Sequence, residues 1–225
     1  MSRKAGAAGI LAGMALGGAL AFVYWYRVRP WHLRWGATDE ELTTALPGDD
    51  MLPAPRLNAT HAVTIAATPA EIWPWLVQLG WGRGGFYSYE SLENAMGLDM
   101  RNANTILPIF QDLKVGDRIP FDEKVVAVPV AILERERAMV LYGDTRVPGP
   151  GAPPVKPGEF LATSWGFYLF PRGDGTTRLL ARWRADWSPT FANNVMYTGF
   201  LEPGGFIMQR KMLLGIKQRA ERGAK

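Results

Sequence analysis

Residues 5–26, AGAAGILAGMALGGALAFVYWY, contain no charge and no proline, and Arg3 and Lys4 precede them while Arg27 and Arg29 follow. A helix of this length, rising about 1.5 Å per residue, reaches roughly 33 Å, enough to cross a hydrocarbon core of about 30 Å. The segment therefore reads as a single-pass membrane anchor in contact with membrane lipids through residues 5–26. Tyr24, Trp25 and Tyr26 end it with amphipathic rings that favour the headgroup layer. Ala19-Leu20-Ala21 supplies an alternative, a signal-peptidase site in a cleaved leader. The apolar run continues past that site and is long for a signal core, which favours the anchor. Two basic residues before the span and three soon after it leave the side of the membrane open. Gly9, Gly13 and Gly17, extended by Ala5 and Ala21, share one helical face at a spacing that suits self-association of anchors. In a segment so rich in glycine and alanine, chance alignment is the better explanation of the row.

The chain holds 25 Lys+Arg and 21 Asp+Glu. Five of the basic residues (Arg3, Lys4, Arg27, Arg29, Arg34) precede residue 37, where there is no acid, and the remainder is 20 against 21. The domain beyond the anchor is nearly neutral, so it lacks the basic excess of a nucleic-acid-binding face. About 190 residues suit one domain with a substantial core. With no cysteine there is no disulfide, thiolate nucleophile or cysteine metal site. His32 and His61 have no ligand spacing, and no cofactor or metal is expected.

The order of elements follows from local signals. Thr38 with Glu41 forms a capping box for a short helix to about Ala45, in an arm that Pro47, Gly48, Pro53 and Pro55 keep extended. His61, Val63 and Ile65 alternate with smaller residues in a first strand. Thr68-Pro69-Ala70-Glu71 opens a helix to about Leu79. The glycine-rich bend 80–85 leads to Ser88, read as the cap of a second helix carrying Tyr89, Leu92, Glu93 and Met96. Strand-like segments follow near 118–121, 125–134 and 137–143, then a proline-rich loop or lid at 147–158. Segments 160–170 and 177–187 form a hairpin around Asp174-Gly175. Trp165, Phe167 and Trp183 share its apolar parity, while Arg178, Arg182, Arg184 and Asp186 share the other, expected to be solvated. From Thr190 the chain reads as helical, with an interruption at Pro203-Gly204-Gly205 and an amphipathic helix to about Glu221.

Four segments carry a family resemblance: TPAEIWPWLVQLG (68–80), RGGFYSYESLEN (83–94), VGDRIP (115–120) and EPGGFIMQRKMLLGIK (202–217). Together they resemble the START-like SRPBCC superfamily, in particular its membrane-anchored bacterial members, over roughly residues 36–222. The resemblance implies an α+β helix-grip fold, a curved antiparallel sheet wrapped around a long C-terminal helix, here preceded by one transmembrane helix. Its domains would be the anchor with basic flanks (1–36), a connecting arm (37–59) and the START-like domain (60–225). It also implies a cavity between sheet and helix for an apolar or amphipathic ligand. Lipid-transfer domains, polyketide aromatase/cyclases and hormone-binding proteins share the fold, which does not choose among them.

For a membrane-tethered binder of a lipid or polyketide-like molecule, Trp165, Phe167, Trp183, Phe206, Met212 and Tyr89 are the candidate ligand contacts. Plain core packing is the competing reading for each. For a cofactor-free cyclase or dehydrase, Glu90, Glu93 and Tyr87 are the candidate acid/base group. Two glutamates at i and i+3 are otherwise an ordinary solvated helix face. A third reading is a membrane-tethered interaction protein, and the presence or absence of an interior cavity separates it from the other two.

Overall fold

The computed structural model describes residues 17–19, 22–123, 126–147 and 153–223. Alternating apolar and polar positions build six strands: β1 (Leu57–Ile65), β2 (Arg118–Pro120), β3 (Ala127–Glu134), β4 (Ala138–Asp144), β5 (Leu161–Pro171) and β6 (Thr177–Trp187). They form one sheet in the order β1-β6-β5-β4-β3-β2, with every neighbouring pair antiparallel. A register shift between Val130 and Ile132 marks an irregularity in β3 of the kind that bends a strand. At the β5–β6 turn, Asp174 Oδ1 accepts from Thr176 N at 3.0 Å and Thr176 Oγ1 at 2.7 Å, and Gly175 takes a left-handed φ of 79°.

The helices are α1 (Arg29–Leu33), α2 (Asp39–Thr43), α3 (Pro69–Val77), α4 (Glu90–Ala95), α5 (Phe191–Asn194) and α6 (Glu202–Gly223). The capping boxes form at α2 and α3, where Glu41 and Glu71 accept from the backbone N–H of Thr38 and Thr68 at 2.8 and 2.7 Å. The interruption expected at Pro203-Gly204-Gly205 is absent, because Pro203 falls in the first turn of α6, where a missing N–H costs little. A π-helical stretch, Val195–Leu201, leads into it instead. Gln209, Met212, Leu213, Ile216 and Ala220 are the buried face of α6. The apolar four of these pack with Ile72 and Leu76 of α3 and with Phe167, Leu169, Leu179 and Ala181 of the hairpin, forming the main core. An antiparallel sheet packed on a long terminal helix is the helix-grip arrangement.

The other face of the hairpin departs from expectation. Arg182 and Arg184 are only 3% and 9% exposed, because the arm folds back across them. Arg182 donates to Asp49 at 2.5 Å, to Thr44 O at 3.0 Å and to Glu41 O at 2.7 Å. Arg184 pairs with the same aspartate at 3.0 Å and donates to Leu52 O at 2.9 Å. Arg178 holds Glu41 through two bonds of 2.6 and 2.8 Å, and Asp186 lies 3.0 Å from Arg56. The arm is thus an outer layer of the domain, with Leu46 packed on Ala62, Val140, Tyr168 and Leu180. Gly36 begins it. With φ at 75° it crosses β1 so closely that a Cβ there would collide with the carbonyl of Ala62. Trp35 O accepts from Ala62 N at 3.1 Å beside it.

The single-pass membrane span is not upheld. Among the described residues no helix is long and apolar enough to cross a membrane. Residues 1–16, 20 and 21, and with them Gly9 and Gly13 of the small-residue row, lie outside the described residues. Of the end expected at a headgroup layer, Trp25 and Tyr26 are exposed, while the residues just beyond them are bound to the domain. Arg29 makes two bonds of 2.8 Å to Glu202 at the start of α6, and Trp31 meets Phe206 at 5.4 Å. The strand expected from residue 61 also starts earlier, at Leu57.

Asp49 serves two buried guanidinium groups, so its loss strands both. Asp49→Ala is expected to cost about 3–5 kcal/mol, the usual consequence of removing one partner of a buried pair. Urea denaturation of this variant beside Asp186→Ala, whose partner Arg56 is 43% exposed and which should lose less than about 1 kcal/mol, tests the arm's role.

Candidate functional site

Between α6 and the sheet the domain does not close. A cavity of about 580 Å³ remains, walled by Leu141 of β4, Trp165 of β5, Trp183 and Ala185 of β6, and Met208 and Met212 of α6. Val147 and Pro153, which flank the undescribed residues 148–152, also reach it. Its shape depends on Gly205. A Cβ there would lie 2.6 Å from the Trp183 ring, so only glycine lets α6 approach the indole this closely.

A buried hydrogen-bond chain orients the tryptophan wall. Trp165 Nε1 donates to Gln209 Oε1 at 2.8 Å, and Gln209 Nε2 donates to His61 Nδ1 at 2.8 Å. His61 Nε2 then donates to the carbonyl of His32 at 2.7 Å. These partners require His61 to carry its proton on Nε2 and to accept at Nδ1. Burial pushes its pKa down to about 4, and nearby His32 adds to that, against the opposing bond to the His32 carbonyl. Trp165 also rests on Phe167, Phe121 and Phe86 at centroid distances of 4.8, 5.6 and 6.0 Å.

The opposite wall holds the polar exception. Glu93 of α4 lines the cavity and is 4% exposed, while Leu92 on the same short helix is 49% exposed; Met96, just past its end, also reaches the cavity. Ser88 Oγ donates to Glu93 Oε1, and Glu93 Oε2 has no partner among the described residues. Burial raises the Glu93 pKa and the neighbouring Glu90 charge adds to this, with the Ser88 bond acting in the other direction. The backbone that presents Ser88 is strained, since Tyr87 has φ of 55°, unusual for a bulky residue. Asn102 holds it there, accepting from Tyr87 N at 2.6 Å and donating to Ser88 O at 3.2 Å.

The other candidates from the sequence divide. Trp165, Trp183, Met212 and Glu93 meet around the cavity. Phe167 is fully buried in the main core instead. Phe206 points towards the N-terminal segment, 5.4 Å from each of Trp31, His32 and His61. Tyr89 is 37% exposed under the Lys211 ammonium. Tyr87 is core: its hydroxyl accepts from Gln78 at 2.9 Å and donates to Trp75 O at 3.2 Å, and Arg219 lies over its ring. Glu90 is on the exterior, accepting from Asn102 N at 2.6 Å. Ser88 is not the helix cap that its position suggested. Tyr89 occupies that place, and the hydroxyl turns inward to Glu93. Gln209 had no local signal, because its partners lie 44 and 148 residues away.

No protein-family model and no curated relative matches the chain. Solved structures do. A conserved protein from Geobacillus kaustophilus is 14% identical with a TM-score of 0.44, covering 74% of this chain and 97% of that one. A hypothetical protein from Helicobacter pylori is 11% identical with a TM-score of 0.44, over 79% and 96%. A Thalictrum norcoclaurine synthase point mutant is 12% identical with a TM-score of 0.39, over 75% and 96%.

Two measurements separate core from cavity wall and test the buried histidine. Phe167→Ala should cost about 3–5 kcal/mol as a cavity in a packed core, whereas Trp165→Ala should cost less, since one side of its ring already lacks packed neighbours. Equal urea midpoints for the two variants would count against an open cavity. For His61, the unfolded chain takes up a proton near pH 6.5 and the folded chain only near pH 4. Its contribution is therefore complete above pH 6.5 and is lost as pH falls towards 4, by about 3 kcal/mol in all. The stability difference between wild type and His61→Gln should shrink over that interval, and a difference independent of pH would contradict the assignment.

Proposed function

We propose that this protein binds a hydrophobic or amphipathic small molecule between the sheet and α6, as members of the START-like SRPBCC superfamily do. The observation that carries the reading is the cavity of about 580 Å³, walled mainly by apolar side chains with a few polar groups among them. Pockets for small molecules typically have this size and this mixture. An interaction protein without a ligand would be expected to fill its interior with side chains. The acid/base cluster that a cyclase reading needs is not assembled, since Glu90 is exposed and Tyr87 lies in the core while Glu93 alone reaches the cavity. Binding is therefore the better reading of the site.

Met208 lines the cavity and is half-buried, so a larger side chain there can occupy the space without rebuilding the core. Wild type should take up the neutral fluorophore N-phenyl-1-naphthylamine saturably at one site. Met208→Trp should weaken that uptake by about tenfold or more, the equivalent of roughly 1.4 kcal/mol, with a melting temperature within a few degrees of wild type. Absence of saturable uptake by wild type would overturn the reading.

A further inference from the structure

Most polar side chains around the cavity are already engaged. Gln209 uses its carbonyl on Trp165 and its amide on His61. Thr163 Oγ1 donates to Arg184 O at 3.2 Å and accepts from Trp183 Nε1 at 3.0 Å. Arg118 donates to Ala127 O, and Asp144 is held by Arg146 at 2.6 Å. Glu93 is different. One carboxyl oxygen is taken by Ser88, and the other is buried with no partner among the described residues. A buried carboxyl oxygen left alone is costly, and such groups in folded proteins nearly always find a donor.

We infer that the ligand of this cavity supplies the missing partner: a largely apolar molecule whose one polar group is an ammonium, docked on Glu93 Oε2. The inference rests on the binding reading above and adds the chemical class of the ligand. An N–H or O–H satisfies the oxygen in either case, but a cation also neutralises the carboxylate in surroundings of low dielectric, where charge-assisted bonds are strongest. A ligand carboxylate would face like charge. The charged groups around Glu93 do not supply a substitute. Glu90 on the same helix is an acid, Arg118 of β2 is turned to the Ala127 carbonyl, and Asp144 of β4 is committed to Arg146. Burial biases Glu93 towards its neutral form, and a bound ammonium would reverse that by stabilising the ionised form. The arrangement of α4 agrees as well: it turns Glu93 inward at the expense of Leu92, which is left 49% exposed.

The test uses the full chain at pH 7 with N-phenyl-1-naphthylamine as reporter and three competitors of one chain length: decylamine, 1-decanol and decanoate. For wild type, decylamine should displace the reporter at a concentration about tenfold or more below that of 1-decanol, with decanoate weakest. Glu93→Gln keeps the side-chain volume and an acceptor for Ser88, and there the ratio of amine to alcohol should fall to within about twofold of one. Glu93→Asp, which withdraws the carboxylate by one methylene, should give an intermediate ratio and serves if the glutamine variant does not fold. Equal displacement by amine and alcohol in wild type, or an amine preference that survives in Glu93→Gln, would overturn the inference while leaving the cavity reading intact. Failure of the reporter to bind wild type would remove both.

Discussion

The paired arginines of β6 hold this domain together across its outer face. Arg182 and Arg184 project from a strand flanked by β1 and β5, and both converge on Asp49 of the arm. Two guanidinium groups with this little solvent contact would be strongly unfavourable alone. Their presence obliges the arm to cover the sheet, because Asp49 and the carbonyls of Glu41, Thr44 and Leu52 are the acceptors that satisfy them. The sheet is consequently clamped on one side by polar contacts and an apolar cluster around Leu46, and is free to remain incompletely filled on the other.

That division explains how a cavity survives in so small a domain. A void lined by apolar atoms forfeits dispersion contacts on every wall. It persists where rigid elements on both sides prevent collapse. Here β5 and β6 are bound to each other along eleven residue pairs and to the arm behind them. Across the cavity, α6 is fixed at its start by Arg29 on Glu202 and further along by Gln209 on His61 and Trp165. The chain of bonds from the His32 carbonyl through His61 and Gln209 to Trp165 joins the segment before the arm to the cavity wall, so the orientation of the indole depends on residues far away in sequence.

Much of the fold was legible in the sequence for local reasons. The alternation in β1, β5 and β6, the Asp174-Gly175 turn and the capping boxes at Thr38 and Thr68 depend on neighbours within a few residues, and each appears in the structure close to where the pattern placed it. The long amphipathic C-terminal helix was readable from the spacing of Met212, Leu213 and Ile216. The apolar composition of residues 5–26 was equally visible, yet no helix among the described residues is long and apolar enough to cross a membrane, and the segment just after it docks on α6 through Arg29.

Tertiary structure decided the rest, because the deciding contacts join residues beyond the reach of local periodicity, from about 15 to more than 130 positions apart. Period-two alternation divides β6 into two faces but cannot say what covers the polar one, and Arg182 and Arg184 became buried only when the arm brought Asp49 to them. The sequence determined that Trp165, Phe167 and Trp183 share one side of the hairpin. Whether each fills the core or walls a cavity was set by what stands opposite, which for Trp183 is a glycine of α6. Glu93 shows the limit most clearly. At i+3 from Glu90 it looks like half of a solvated pair, and its short helix offers Leu92 as the natural inward residue. The rotation of that helix is fixed by Asn102 and the strained Tyr87 backbone, contacts that helical periodicity does not encode, and this rotation turns an ordinary surface glutamate into the unpartnered carboxyl of the cavity.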